Sequence, residues 1–273
     1  MKIGVMLGRL SNKYNQPLQS FPIRSWEEEF DNAARIGFDC IEWVEDGLSD
    51  KQNPFFDYKG RKNLKNIQKL KKITINSICA HSFITGGLIS PIQVERMYWV
   101  DRLRFIIDCS IDLGIEHIII PLMDASSINS AEKENLLFKS FSEIEAIPSG
   151  LKILFETDLS AKDSLNFLNK INRRDIGLAY DLGNSTQLNH NLYSDILSLN
   201  PFIGEVHLKD KDSSNSFRLG LGKTDFKAAA KALKECDWQG SFILETPIFN
   251  NWEQEANSNF LFAQGLISSI KSS

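Results

Sequence analysis

The sequence predicts a single-domain α/β protein, a (β/α)8 TIM barrel spanning residues 1–273. Three observations predict it. Short apolar runs alternate with amphipathic stretches through eight units, and no linker, low-complexity run or composition break interrupts them. The last four apolar runs each finish on a carboxylate or an imidazole. Strict alternation implies right-handed crossovers and a parallel sheet, and eight units in about 250 residues have the size of a closed barrel. An open doubly wound sheet would carry a Gly-rich phosphate turn after its first strand, whereas here Gly8 is followed by Arg9 and Leu10.

Each element follows from a local signal. Residues 2–7 form the first strand, and a loop with Asn12, Asn15 and Pro17 comes next. Ser25-Trp26-Glu27-Glu28 has capping-box spacing and opens a helix to Ile36, closed by Gly37. The second strand covers 38–43, with Glu42 at its C-terminal end, and a helix runs from Arg61 to Lys72. The third strand covers 73–81 and ends on Cys79-Ala80-His81, with Gly86-Gly87 marking a loop beside it. Ser90-Pro91-Ile92-Gln93 offers an N-cap, a proline at N1 and a glutamine at N3 for a helix to Leu113. The fourth strand is 117–121. Helices at 130–147, 161–171, 192–199, 225–236 and 252–270 then alternate with strands at 152–156, 176–181, 203–208 and 241–245.

Composition narrows the class. With 42% hydrophobic and 24% charged residues, the chain reads as an ordinary soluble globular protein. A net charge of −4 argues against a surface that coats nucleic acid. The opening apolar run is too short for a signal peptide, and no stretch approaches the roughly 18 apolar residues of a membrane span. Cys40, Cys79, Cys109 and Cys236 show no C-x-x-C pairing, so reduced core thiols in a cytoplasmic protein are expected.

Chemistry concentrates at Glu156, Asp181, His207 and Glu245, which end strands five to eight. In a barrel those ends converge on one face, where active sites lie. Three carboxylates and one imidazole suit a single divalent ion with open positions for substrate oxygens. Mn²⁺ is the first expectation; ligand type alone leaves Mg²⁺, Co²⁺ and Zn²⁺ open. Singly, each acidic residue reads more readily as a helix N-cap or a solvated loop residue than as a ligand; it is the repetition at equivalent positions that points to a site. His81 and Glu42, at the ends of strands three and two, are candidate partners for substrate hydroxyls.

Several motifs carry a resemblance: Phe155-Glu156, Asp181-Leu182-Gly183-Asn184, Val206-His207-Leu208-Lys209-Asp210, Arg218 before Gly220-Leu221-Gly222, and Gly240-Ser241-Phe242-Ile243-Leu244-Glu245. Along nearly its whole length the chain resembles the xylose-isomerase-like sugar and sugar-phosphate isomerases and epimerases. It is most similar to the L-ribulose/L-xylulose 5-phosphate 3-epimerase type, with the D-tagatose 3-epimerase type next. The resemblance implies metal ligation by Glu156, Asp181, His207 and Glu245, with Glu156 and Glu245 doubling as acid and base in a 3-epimerisation through an enediolate. It implies Arg218 on a substrate oxygen, and Lys209 either on substrate or paired with Asp210. Asn184 stands where the tagatose type carries a histidine, which leans toward the 5-phosphate type. A small sugar or sugar phosphate is the implied partner, with neither nucleic acid nor membrane, and a homodimer or homotetramer is the implied assembly. Two other chemistries share the scaffold: inosose-type dehydration, and phosphodiester cleavage of the endonuclease IV type, which the four histidines and acidic balance disfavour. Substrate choice falls to the loops at 8–24, 44–60, 82–90 and 122–130.

Overall fold

In the computed structural model, which describes residues 1–12 and 17–271, parallel strands hydrogen-bond into a closed ring. They are β1 (Lys2–Met6), β2 (Cys40–Glu45), β3 (Thr74–Ala80), β4 (His117–Leu122), β5 (Lys152–Thr157), β6 (Ile176–Asp181) and β7 (Ile203–Leu208). A hairpin of β8 (Asp210–Lys211) and β9 (Ser216–Phe217) precedes the last barrel strand, β10 (Ser241–Leu244). β10 pairs with β7 on one side and β1 on the other, so the ring has no edge. The eight-stranded parallel barrel is the fold that the alternation predicts. Asn15 of the first loop lies outside the described residues.

Around the ring run α1 (Trp26–Ile36), α2 (Tyr58–Lys71), α3 (Gln93–Leu113), α4 (Ala131–Ser142), α5 (Ala161–Ile171), α6 (Leu182–Gln187), α7 (Leu192–Leu199), α8 (Phe226–Glu235) and α9 (Trp252–Lys271). Their apolar stripes bury the outward-facing strand residues. Trp43 of β2 is fully buried and meets the rings of Phe21, Trp26 and Phe30 at 5.5, 5.8 and 6.3 Å between centroids. Its Nε1 donates to Asn53 Oδ1 at 3.0 Å, so the indole is buried with its polar atom satisfied. The cysteines are free thiols, with Cys40, Cys79 and Cys109 buried in β2, β3 and α3. No described helix is long and apolar enough to cross a membrane.

Several boundaries differ from the sequence expectation, each for a local reason. β2 begins and ends two residues later than expected and continues to Glu45, because Val44 and Glu45 pair with Cys79 and Ala80 of β3. Its register shifts between Ile41 and Glu42. Glu42 therefore sits in mid-strand, and Glu45 takes the end position, where Arg102 of α3 pairs with it and with Asp50. Ser25 precedes α1 but caps nothing; its hydroxyl pairs with Ser11 Oγ at 2.8 Å instead. α3 starts at Gln93 because Ser90 Oγ accepts from Ile92 N and donates to Glu95, forming a turn ahead of the helix. α4 stops at Ser142, where the guanidinium of Arg173 takes up the carbonyls of Phe141, Ile144 and Glu145. The hairpin β8–β9 and the short helix α6 had no counterpart in the sequence reading.

Ser11, the partner of Ser25, donates in turn to Glu29. Glu29 is fully buried on α1 and accepts from Gly8 N at 2.6 Å and from Ser11 Oγ. Burial outweighs these bonds and raises its carboxyl to about 7. The folded state thus holds a proton that the unfolded chain has already released, so this contribution is present at low pH and fades as pH rises through about 7. We expect urea unfolding to show stability falling between about pH 4.5 and pH 7, with a shallower fall in Glu29→Gln. An equal fall in both proteins would contradict this account.

Candidate metal centre and active site

Side chains on a strand alternate between its two faces. In and just beyond β7 this alternation turns Glu205, His207 and Lys209 into the barrel and Asp210 out of it. Asp210 then organises the following loop: Oδ2 accepts from Gly220 N and Gly222 N at 2.8 Å each, and Oδ1 from Thr224 N at 3.1 Å. Gly222 is required there, since a Cβ would lie 2.2 Å from Asp210 Oδ1. Lys209 consequently does not pair with Asp210.

Lys209 instead enters a ring of carboxylates. Its ammonium lies 2.6 Å from Asp181 Oδ2, 3.5 Å from Glu156 Oε1, and in ion-pair contact with Glu245 Oε2. Glu156 is near the end of β5, Asp181 ends β6, and Glu245 directly follows β10, where its N–H donates to Leu208 O. His207 Nδ1 completes the group, 3.3 Å from Glu245 Oε1 and 3.9 Å from Glu156 Oε2. The structure therefore brings all four sequence-predicted ligands together, every one of them buried.

These residues fit a divalent cation. Asp181 Oδ2, both oxygens of Glu245 and His207 Nδ1 are buried without a hydrogen-bond partner. Two of those oxygens are in ion-pair contact with the Lys209 ammonium. Carboxylates gathered around one buried ammonium mark where positive charge is wanted. Ligand atoms of Glu156, Asp181 and His207 lie within 4.8 Å of one another, and so do those of Glu42, Glu205 and His207.

Electrostatics separates the acidic groups. Burial raises Glu156 to about 7, against the opposing pull of Lys209. Burial acts on Glu245 in the same direction, but Lys209 and His207 overcome it and hold the group at about 2. His207 is raised despite burial, by Glu245 and Glu42, and Lys209 is raised despite burial by Asp181, Glu156 and Glu245. Burial and Lys209 thus pull these carboxyls in opposite directions, with burial prevailing at Glu156 and the neighbouring cations at Glu245.

A cavity of about 210 Å³ opens above this group, lined by Glu156, Asn184, Lys209, Lys211, Glu245 and His81, with Leu18 and Gln19 also on its wall. Arg9 holds that wall in place, donating to Leu18 O and Gln19 Oε1 at 2.6 Å each. Asn184 Nδ2 donates to Glu156 Oε1 at 2.7 Å, and Asn184 Oδ1 accepts from Lys211 Nζ at 2.6 Å. Asn184 reaches this position because Asp181 caps α6: its Oδ1 accepts from Asn184 N at 2.7 Å. His81 faces the cavity, and burial lowers its pKa, favouring a neutral ring.

Two expected substrate contacts are placed elsewhere. Glu42 lies below the cavity, fully buried, with Ser77 Oγ donating to it at 3.1 Å. Arg218 has a side chain 41% exposed and donates to Glu255 Oε1 of α9 at 3.0 Å, so it braces a loop outside the cavity. Conversely, Glu205 and Lys211 escaped the sequence reading. The signal was present: Glu205, His207, Lys209 and Lys211 recur at every second position, as one face of an extended chain does.

Loading the centre should stabilise the fold by mass action. Mn²⁺ at a hundredfold excess over its Kd is expected to add about 2.7 kcal/mol, measured as a rise in thermal midpoint. Asp181→Asn should reduce that rise sharply, and an equal rise in both proteins would place the ion elsewhere.

Comparisons with known proteins agree with this architecture. Residues 30–264 match the family model described as xylose isomerase-like TIM barrel. No curated protein matches the sequence. Among solved structures, D-psicose 3-epimerase from Clostridium cellulolyticum H10, determined with D-tagatose, superposes with a TM-score of 0.78 at 15% identity, covering 98% of this chain and 99% of that one. An L-ribulose 3-epimerase gives 0.78 at 17%, covering 99% and 95%. The E. coli 3-keto-D-glucoside 4-epimerase YcjR gives 0.75 at 17%, covering 97% and 99%. At these identities the structural likeness speaks to the fold, while the family match spans most of the sequence. This chain belongs to the xylose isomerase-like TIM barrel family.

Proposed function

We propose that this protein is a divalent-metal-dependent sugar isomerase or epimerase that moves a proton at the carbon beside a ketose carbonyl, inverting C3. The carrying observation is the pairing of Glu156 and Glu245. Both line one cavity, they come from barrel positions three strands apart, and their pKa values are driven to about 7 and about 2. Such a pair can face a flat intermediate from opposite sides. One of the two takes the proton as a carboxylate, and the other, protonated, returns one to the other face, which inverts the centre. Asn184 keeps Glu156 oriented. His81 and Lys209 offer hydrogen bonds to substrate oxygens.

Glu156, Asp181, His207 and Glu245 would hold the ion, which when bound supplies positive charge against the oxyanion that develops as the proton leaves. Mn²⁺ is the ion we favour for this oxygen-rich donor set. The ketose 3-epimerases among the structural neighbours support this chemistry as a class. Lys211 bears on the substrate. Its two partners, Asn184 Oδ1 and Gln187 Oε1, are neutral amide oxygens, so its charge is left to face the cavity. That supports a ketose phosphate over a free ketose.

Deuterium uptake from D2O into a panel of ketoses and ketose phosphates, with Mn²⁺ added, tests the reading. We expect exchange at one carbon and product of unchanged mass. Glu156→Gln and Glu245→Gln should each slow turnover by about 10²–10⁴-fold. No exchange into any member of the panel would overturn it, and loss of 18 mass units, one water (~18 Da), would move the protein to a dehydratase reading.

A further inference from the structure

Two fully buried carboxylates close on the inner side of His207. Its Nε2 is 3.4 Å from Glu205 Oε1 and 3.5 Å from Glu42 Oε2, and all three residues are fully buried. The other oxygen of Glu205 is held in turn by His117, with Nδ1 at 3.3 Å from Oε2. A line of contacts therefore runs down the barrel from Glu245, which lines the cavity, through the His207 ring and Glu205, to His117 at the first position of β4. An apolar pair would fill the same volume without the cost of desolvating charge, so the carboxylates need a reason to be there.

We infer that Glu205 is the positioning residue of the metal centre, and that His117 holds it in place. This rests on the metal reading proposed above. A histidine side chain can turn its ring and present either nitrogen. With Nε2 set between two carboxylate oxygens, its proton is committed inward and the lone pair of Nδ1 is left facing Glu156, Asp181 and Glu245. A carboxylate on the far nitrogen also makes the near one a stronger donor to a cation. Glu205 suits this role better than Glu42 for two geometric reasons. It is two residues from His207 on the same strand, so the pleat fixes their spacing, and its second oxygen is tied to an imidazole.

The test is metal affinity, read apart from turnover. Protein freed of metal is titrated calorimetrically with Mn²⁺ and Co²⁺, and the Co²⁺ absorption spectrum and urea midpoint are recorded for each variant. Glu205→Gln is expected to weaken both ions by about 10–100-fold and to alter the Co²⁺ spectrum. His117→Gln, which touches Glu205 and not His207, should weaken them less and in the same direction. Affinity within twofold of the unsubstituted protein, with an unchanged spectrum, overturns the inference. Should Glu205→Gln fail to fold, the same criterion applied to His117→Gln decides. If the unsubstituted protein binds neither ion, the metal reading falls and takes this inference with it, a result distinct from an affinity that Glu205 does not influence.

Discussion

A charge buried away from water must be met by another charge, and the interior of this barrel is arranged around that requirement. β7 and its extension carry Glu205, His207 and Lys209 inward in sequence, negative to positive up the barrel. Other strands around the ring supply the complements: Glu42 and His117 lower down, Glu156, Asp181 and Glu245 above. Beside this column the interior also holds a small apolar cluster of Ile119, Leu154 and Ala179. The larger apolar core joins the strands to the surrounding helices. Stability and chemistry are thereby divided between the two faces of the same strands.

That division explains why most of the fold and half of the site could be read from residues alone. Strands buried on both faces appear as continuous apolar runs, and a charged residue ending such a run is conspicuous. Glu156, Asp181, His207 and Glu245 were legible for that reason. The reading broke where it relied on strand ends in general. Glu42 looked terminal because pairing beyond Trp43 depends on β3, whose register with β2 shifts at a position that no local signal marks. Glu205 was passed over because it sits within its run rather than at its end. Arg218 was placed on substrate, yet its partner Glu255 is 37 positions away, a distance over which spacing carries no information.

Local signals also lost to tertiary competitors. Ser25 has every attribute of an N-cap, but the buried Ser11 and Glu29 offer its surroundings a better-satisfied arrangement. Asp181 shows the opposite case, in which a helix cap and a member of the carboxylate group are one residue. One oxygen caps α6 and the other faces the ligand group. The bland interpretation of an acidic strand end and the functional one are here the same side chain, and the cap is what brings Asn184 to Glu156.

Asp210 has a consequence of another kind. By gathering the amides of Gly220, Gly222 and Thr224, it pins the far end of the loop to the strand from which the loop departs. Asp212 gathers Ser214 N and Asn215 N in the same way nearer the tip. The segment is thus anchored twice at its base, and its tip at Ser213 and Ser214 carries no part of the ligand group. Length and composition at that tip are free to drift without disturbing the centre below. A loop held in this way can change at its tip while the buried carboxylates beneath it keep their places.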